Sequence, residues 1–400
     1  MKKKALIITG AGLTAGPDFF NITTAGITKK FLAYQDDELS SDPGLIKFLY
    51  DEYCFYNRLD PLAIDQNIGK INFETILQIV EELHVYIEDY ERTKDDWKEL
   101  NSIKGTVYSL NKRLIVYLDR ARTYKGEWPL RMFMEKIYNH LVQVISDELN
   151  PHNKDVDNKG MKSFENFLTH AFPNDLFTKR VYTLNYDNWL HQHAGYYDGF
   201  DQRHFNSSVV MNDRARDCQY NLHGCILWNW GRLEKSGEPE DRRGSQAFAG
   251  WGIDREALPP SGIISGYNKL TRINARPFLE VFHSFATDCL AADFVLLIGY
   301  GFSDPHVNNN LSLVPIHTRI IVVIYCTVAD LTNLRSDLHR ITNELGYIYR
   351  MSFGELKIRE GSDYTLDSAD GRISIFINGI GPSFYDEFPE IIKDIAPLLI

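Results

Sequence analysis

The stretch KALIITGAGLTAG, residues 4–16, decides the fold. It begins with an unbroken apolar run and passes at once into a glycine-rich turn, as a buried strand does before a helix. The spacing Gly10-x-Gly12-x-x-Ala15 matches the fingerprint of dinucleotide-binding turns, whose glycines let backbone N–H groups approach a pyrophosphate. An ordinary β–α turn has the same appearance. No acidic residue follows cleanly about 20 positions later at the end of a second strand, which disfavours a hydride-transfer enzyme.

Four further apolar runs predict the rest of a sheet. They are KRVYTLN (179–185), QYNLHG (219–224), DFVLLIGY (293–300) and RIIVVIYC (319–326). Helical patterns such as RPFLEVFHSFATDCLAA lie between them. Continuous apolar strands that alternate with helices indicate a parallel sheet covered on both faces. The sequence therefore predicts an α/β fold with a Rossmann-like parallel sheet, which the first strand joins.

A helical block interrupts this pattern. In NFETILQIVEELHVYIEDY and PLRMFMEKIYNHLVQVISDEL the apolar residues recur at helical spacing, and Asn72 is placed to cap the first helix. The polar run at 150–162 is interpreted as a loop that closes the block, and 228–262 as a long irregular loop. We expect an α/β domain at 1–40 and 173–345, a large helical insertion at 41–172, and a C-terminal β-rich extension at 346–400 with a β-hairpin at Asp370-Gly371.

The composition limits the kind of protein. The chain has 400 residues, 44% apolar and 24% charged, which is typical of a globular protein with a large core. Its formal charge of −11 disfavours direct binding of nucleic acid, because phosphate contacts need a basic surface. No apolar run reaches the roughly 20 residues of a membrane span. Five scattered cysteines without a Cys-x-x-Cys pair fit a cytoplasmic protein and disfavour a zinc ribbon.

Polar residues follow four of the predicted strands. GAGLT, TLNYD, LHG and GYGFSDP each stand at the carboxyl end of a strand, where open α/β sheets bind ligands. Each has an ordinary structural interpretation. Asn185 and Asp187 could cap a helix, His223 could be a buried histidine, Gly299 could form a turn, and Asp304 is expected to cap the next helix. Their joint occurrence at four strand ends favours one composite ligand site.

In this order the motifs resemble those of the sirtuin superfamily. GAGLTAGPDFF is similar to the sirtuin GAG turn and the stretch after it, TLNYD to Thr-Gln-Asn-Ile-Asp, NLHG to the catalytic His-Gly, and IGYGFSDP to a Gly-Thr-Ser turn. Phe20 stands where a sirtuin has arginine, and no cysteine pairs build the sirtuin zinc module. The Phe-Ser-Asp-Pro ending and the NFETIL helix resemble the sirtuin-like NAD hydrolases of bacterial antiphage defence. These include the Thoeris effector and, most similar in size, the partner of HerA-type ATPases.

The resemblance implies a function and a set of site residues. It implies a cytoplasmic homo-oligomer that cleaves NAD to ADP-ribose and nicotinamide in abortive infection, without zinc. A HerA-type ATPase is the implied partner, and nucleic acid would be reached only through it. The residues implied for catalysis are His223, as the base, and Asn185. The residues implied for NAD binding are Gly10, Ala11, Gly12, Thr14, Asp187, Gly299, Tyr300, Ser303 and Asp304.

Three alternatives stay open at this point. A protein deacylase would use the same substrate, but the absent zinc cysteines disfavour it. A sensor of NAD or ADP-ribose would bind without cleaving, and the presence of both Asn185 and His223 argues against it. A nuclease acting with a partner ATPase would need an ordered cluster of metal ligands, which the sequence does not show.

Overall fold

The structure is a computed structural model. The residues that it describes are 2–15, 19, 22–33, 45–68, 70–79, 143–149, 155–201, 204–229, 234–235, 263, 273–274, 276–325, 334–349, 356–362 and 364–392. Several sequence predictions fall outside these residues. They concern Phe20, most of the two helical stripes predicted before residue 143, and most of the segment 228–262.

The strands of the described residues are short and lie mostly in one sheet. In chain order they are β1 Lys3–Thr9, β2 Phe177–Thr183, β3 Phe200–Asp201, β4 His204–Phe205, β5 Cys218–Asn221, β6 Trp228–Asn229, β7 Glu234–Lys235, β8 Phe294–Ile298, β9 Arg319–Val323, β10 Lys357–Ile358, β11 Thr365–Asp367 and β12 Ile373–Phe376.

Helices separate and follow these strands. In chain order they are α1 Ala11–Thr14, α2 Thr24–Ala33, α3 Leu45–Tyr56, α4 Ile64–Asn67, α5 73–79, α6 143–149, α7 Lys159–Ala171, α8 Trp189–Ala194, α9 Ser207–Asn212, α10 Phe278–Leu290, α11 Pro305–Leu311, α12 Leu334–Tyr349 and α13 Pro382–Ile392. Among the described residues, no helix is both long and apolar enough to cross a membrane.

The main sheet has eight strands in the order β10-β11-β12-β9-β8-β1-β2-β5. The six strands from β12 to β5 run parallel, and β11 and β10 extend one edge by antiparallel pairing, so that among the described strands of this sheet β11 alone runs in the opposite direction. Strands that are consecutive in space but distant in sequence are joined through helices, as a parallel sheet requires. The predicted α/β fold with a Rossmann-like sheet is thereby confirmed.

Apolar sequence explains why β1 lies inside the sheet. Ala5, Leu6, Ile7 and Ile8 are each 0% exposed, although successive side chains of a strand point to opposite faces. Both faces of β1 are therefore covered. β8 is likewise buried along its full length, from Phe294 to Ile298. A strand without polar positions on either face is stable only between covered layers, so these two runs occupy the middle of the sheet.

By its contacts the chain divides into two compact units. The first unit consists of Met1–Thr23, Pro151–Cys225 and Ala275–Ile400, and it contains the whole eight-stranded sheet. The second unit consists of Thr24–Asn150 and Ile226–Asn274. These ranges differ from those expected from the sequence, because α7 and the C-terminal strands belong to the unit with the sheet.

The C-terminal β-hairpin is present where the sequence predicts it. β11 pairs antiparallel with β12, and Gly371 in the connection has a φ of +67°, a conformation that favours glycine. β12 also pairs parallel with β9, so the hairpin extends the main sheet. The cap at Asn72 is confirmed too, since its Oδ1 accepts from the backbone N–H groups of Glu74 at 3.0 Å and Thr75 at 3.2 Å.

The prediction of a loop over 150–162 is wrong at its C-terminal end. α7 begins at Lys159, and Asn158 caps it by accepting from the N–H of Met161 at 2.9 Å. The polar residues before the helix dominate this stretch of sequence. The apolar side chains of Met161, Phe164 and Leu168 recur at helical spacing and are buried, and they make this segment a helix.

One buried polar network lies between the sheet and α10. Asp288 of α10 accepts from Arg180 Nε at 2.6 Å, Tyr182 Oη at 2.6 Å and Lys4 Nζ at 2.8 Å. The side chains of Arg180 and Asp288 are both 0% exposed. Burial raises the pKa of Asp288, but the charges of Arg180 and Lys4 outweigh burial, so the pKa lies below its usual value. The network fixes β1 and β2 to the same helix.

Replacing the acid of this network should destabilise the fold strongly. Asp288→Asn keeps the shape of the side chain but leaves the buried charge of Arg180 without its partner. We expect the free energy of unfolding, measured by denaturant titration at pH 7, to fall by about 3–5 kcal/mol. The matched control is Asp157→Asn, because Asp157 pairs with Lys162 at the same 2.8 Å but its side chain is 85% exposed. The control should behave as wild type.

The difference between wild type and Asp288→Asn should depend on pH. Because folding lowers the pKa of Asp288, the stabilisation is complete above the unfolded value of about 3.9 and is lost as pH falls through the folded value. Unfolding titrations should therefore show a nearly constant difference between pH 5 and pH 7, because pH 5 is already about one unit above the unfolded pKa, and a shrinking difference below pH 4. A variant as stable as wild type at pH 7 would contradict the structural role of the network.

Candidate functional site at the carboxyl edge of the sheet

The register of the parallel strands aligns four strand ends. Thr9 of β1 pairs with Thr183 of β2 and with Ile298 of β8, and Thr183 pairs with Asn221 of β5. Each of these residues is the last of its strand. The segments that follow therefore start side by side at one edge of the sheet. They carry all of the candidate site residues, which are Gly10, Ala11, Gly12, Thr14, Asn185, Asp187, His223, Gly299, Tyr300, Ser303 and Asp304.

Three glycines bring the segments after β1 and β8 into direct backbone contact. Gly12 N–H donates to the carbonyl of Gly299 at 3.2 Å, and Gly10 N–H donates to that of Ile298 at 2.9 Å. A Cβ on Gly10 would lie 2.6 Å from Gly299 O, and one on Gly12 would lie 2.5 Å from Gly299 Cα. Gly299 itself has a φ of +60°. The first role of these glycines is therefore to allow the close backbone contact between the two loops.

The helix that follows the turn after β1 is much shorter than the helix of a usual phosphate-binding turn. α1 has only four residues, Ala11–Thr14, so its dipole is small. The N–H of Leu13 already donates to Gly10 O at 2.9 Å, and Thr14 Oγ1 donates to Ala11 O at 3.2 Å. Ala11 and Gly12 are exposed, whereas Thr14 is buried. The exposed part of the turn is thus its backbone at residues 11 and 12, with no side chain beyond a methyl group.

Asn185 and Asp187 follow β2 in one short segment. Asn185 Nδ2 donates to Gly10 O at 3.2 Å, which ties this segment to the turn after β1. Asn185 is half-buried and Asp187 is buried. Burial raises the pKa of Asp187 despite hydrogen bonds that include the N–H of Trp189 at 3.4 Å. The site therefore holds an amide and a buried carboxyl group whose pKa lies above its usual value.

His223 follows β5, and its side chain contacts a carboxylate that follows a different strand. Its Nε2 lies 2.7 Å from Oδ2 of Asp304, which comes after β8. The side chains are 9% and 5% exposed. The other oxygen of Asp304 accepts from the N–H groups of His306 at 2.9 Å and Val307 at 3.4 Å and so caps α11. The cap expected from the sequence is present, and the same carboxylate also orients the imidazole.

The loop that carries Asp304 is braced by an asparagine of α11. Asn308 Oδ1 accepts from Tyr300 Oη at 2.6 Å, and its Nδ2 donates to the carbonyl of Phe302 at 2.9 Å. Phe302 has a φ of +56°, which is costly for a residue with a side chain. Burial raises the pKa of Tyr300, so its hydroxyl group remains protonated and donates. Ser303, by contrast, is exposed.

His191 and His193, close to these residues in sequence, have structural contacts. His191 Nδ1 lies 2.6 Å from the carbonyl of Tyr196 and 3.6 Å from Oδ1 of Asp198. The ring of His193 packs on that of Trp189, with 4.9 Å between centroids. Both histidines belong to α8. These contacts give both histidines a structural role in packing.

Metal ligands are not grouped in the described part of the chain. Within those residues, no group of three or more His, Cys, Asp and Glu side chains could hold a metal ion. The described cysteines, Cys54, Cys218, Cys225 and Cys289, are free thiols and buried.

Two asparagines of the site are not among the residues singled out from the sequence. Asn221 donates from Nδ2 to the carbonyls of Asn185 at 3.0 Å and Asp187 at 2.6 Å, and Asn308 braces the loop 299–304 as described. A signal for Asn221 exists, since an amide ends the apolar run two residues before His223. A signal for Asn308 is its position one helical turn after Asp304. The pairing of His223 with Asp304 has no local signal.

Comparison with known proteins adds no relative. The chain matches no protein-family model, and a search of curated proteins finds no match. The fold and the site together define an α/β protein with a Rossmann-like sheet and a polar cluster at its carboxyl edge.

The contact of Gly12 with Gly299 yields a prediction on stability. Gly12→Ala places a Cβ 2.5 Å from a backbone atom, and backbone cannot swing aside as a side chain can. We expect the free energy of unfolding to fall by about 1–3 kcal/mol, the usual cost of overpacking. Gly301→Ala is the control in the loop after β8, because its Cβ would meet nothing within 4 Å. Equal stability of the two variants in thermal and denaturant unfolding would show that the loops do not depend on this contact.

Proposed function

We propose that the protein is a sirtuin-like NAD glycohydrolase that cleaves NAD to ADP-ribose and nicotinamide. The observation that carries the proposal is the His223–Asp304 pair, which stands at the same sheet edge as Asn185 and the glycine turn after β1. A histidine oriented by a carboxylate is the usual form of a general base. The edge that holds it is where open α/β sheets bind nucleotides.

The reaction needs little from the protein besides position and a base. Loss of nicotinamide from NAD leaves an oxocarbenium-like sugar, as in glycoside hydrolysis. Nicotinamide leaves as a neutral molecule and takes the electrons of the glycosidic bond, so no acid is needed to protonate it. A water molecule then forms the new bond to the ribosyl carbon. His223 takes the proton that this water loses, and Asp304 stabilises the resulting imidazolium.

The other polar groups of the edge have complementary roles in the proposal. Asn185 orients the ribose or the attacking water without adding charge. Asp187, which accepts from the N–H of Trp189, binds the nicotinamide carboxamide or holds the segment after β2 in place. The exposed backbone at Ala11 and Gly12 leaves room for the phosphates, and the methyl group of Ala11 is its only side chain. Gly299, Tyr300 and Ser303 belong to the loop that closes the other side of this turn.

The wider biological setting belongs to the same proposal. By the resemblance of its motifs, the protein acts in the cytoplasm as a homo-oligomer that depletes NAD in abortive infection. A HerA-type ATPase is the proposed partner, and contact with nucleic acid is made through that partner. The support for this setting is the motif order GAGLT, TLNYD, LHG and GYGFSDP.

Substitution of the proposed base should abolish most of the activity. His223→Ala should lower kcat for NAD cleavage by about 10²–10⁴-fold, the usual effect of removing a general base. Asn185→Ala should reduce the rate at least as much, because the reacting ribose loses its orientation. His191→Ala is the control, since His191 contacts the carbonyl of Tyr196 instead. If His191→Ala abolished cleavage and His223→Ala did not, in folded protein, the catalytic centre would lie elsewhere.

The products distinguish the proposed hydrolase from a deacylase. Incubation with NAD and an acetylated peptide should give free ADP-ribose and nicotinamide, since water is the acceptor. Mass spectrometry of all products checks this expectation. Formation of O-acetyl-ADP-ribose at a comparable rate would assign the protein to the deacylases, and binding of NAD without any product would assign it to sensors.

Asp304 has two roles that two substitutions can separate. Asp304→Asn keeps a good helix cap and should leave stability near that of wild type, whereas Asp304→Ala should lose about 0.5–2 kcal/mol. Both remove the carboxylate beside His223, so both should lower the rate of NAD cleavage by about 10-fold or more. Stability is measured by denaturant unfolding and cleavage by nicotinamide release. Full activity in Asp304→Asn would show that the carboxylate only caps α11.

A further inference from the structure

The last residue of β5 is a buried asparagine that binds the segment after β2. Asn221 is 0% exposed. Its Nδ2 donates to the carbonyl of Asp187 at 2.6 Å and to that of Asn185 at 3.0 Å. Both acceptors are main-chain atoms of residues whose side chains belong to the candidate site. One amide group therefore holds the backbone that carries two of the functional side chains.

The two carbonyl acceptors fix the orientation of this amide. A rotation that exchanged Oδ1 and Nδ2 would place an oxygen against two carbonyl oxygens, so only Nδ2 can point at the segment. Oδ1 is buried and has no hydrogen-bond partner within the described residues. Leaving a buried acceptor unused costs free energy, which an apolar residue at this position would avoid. The two hydrogen bonds that Nδ2 donates therefore explain why an amide, and not an apolar side chain, occupies this position.

The position of Asn221 links the proposed base to the proposed orienting residue. His223 lies two residues further along the same segment, and Leu222 N–H donates to Thr183 O at 2.9 Å. Gln219, which points to the same face of β5, adds a weaker bond from Nε2 to Asp187 O at 3.3 Å. The side chain of Asn221, with the weaker contribution of Gln219, therefore links the segments that carry Asn185 and His223, although these segments follow different strands.

We propose that Asn221 is a positioning residue that sets the placement of Asn185 and Asp187 relative to His223. The inference rests on the proposed function for its effect on catalysis, and on geometry alone for its effect on the backbone. Displacement of a reacting group by about 1 Å can cost about 10²-fold in rate. Loss of the two hydrogen bonds should therefore lower catalysis more than it lowers substrate affinity.

The test compares two buried asparagines. Asn221→Leu keeps the approximate volume and removes the donor. Asn67→Leu is the matched control in the other unit, because Asn67 is 4% exposed and its Nδ2 also donates to a main-chain carbonyl, that of Asp60, at 2.7 Å. For each variant we measure the melting temperature, kcat and KM for NAD, and the hydrogen exchange of peptides that cover residues 183–191. Asn221→Ser, a smaller change that retains one hydroxyl donor, serves if the leucine variant does not fold.

The expected result is specific to the segment after β2. At a temperature well below melting, Asn221→Leu should lower kcat by about 10–100-fold with a smaller change in KM, and exchange in 183–191 should become faster. Asn67→Leu should lower the melting temperature but leave kcat, KM and the hydrogen exchange of residues 183–191 unchanged. Folded Asn221→Leu with wild-type kcat and wild-type exchange would overturn the inference. If wild type does not cleave NAD, the proposed function fails, and the exchange measurement alone decides the role of Asn221.

Discussion

The site depends on the close approach of two backbone segments, which only glycine allows. Gly12 and Gly299 come so near that a Cβ on Gly12 would lie 2.5 Å from Gly299 Cα. This contact places the start of the loop 299–304 against the turn after β1. Asp304 stands at the end of that loop, where it caps α11 and reaches His223 at 2.7 Å. Widening the contact at the glycines would shift the whole loop, and the pairing of acid and imidazole would change with it.

A second constraint anchors the strands below this edge. Arg180 of β2 is fully buried and bonds to Asp288, and its guanidinium also donates to the carbonyl of Arg216 at 2.9 Å just before β5. It lies 5.3 Å from the ring centroid of Tyr220, which belongs to β5. Among the described strands β5 is at one edge of the sheet, with β2 on one side and only the bridge between Cys218 and Tyr197 on the other. The buried cation therefore helps to hold in place the strand that carries His223.

The sequence was sufficient for the parts of the fold that follow from local patterns. Apolar runs located β1, β2, β8 and β9, and the Asp370-Gly371 turn located the hairpin. The start of α7 was missed because the polar residues before it outweigh the helical spacing of Met161, Phe164 and Leu168. The four strand ends of the site could be predicted, because the carboxyl ends of parallel strands share one edge. The pairing of His223 with Asp304, 81 residues apart, arises from tertiary structure and leaves no local signal.

We propose that this edge binds NAD with its nicotinamide ribose beside His223. A crystal structure of the His223→Ala variant with NAD tests it most directly, since removal of the base should preserve the uncleaved substrate. We expect the nicotinamide ribose to lie between Asn185 and position 223, with the phosphates over the backbone of residues 10–14. Binding of NAD at another surface, or no binding to the folded variant at millimolar NAD, would contradict it.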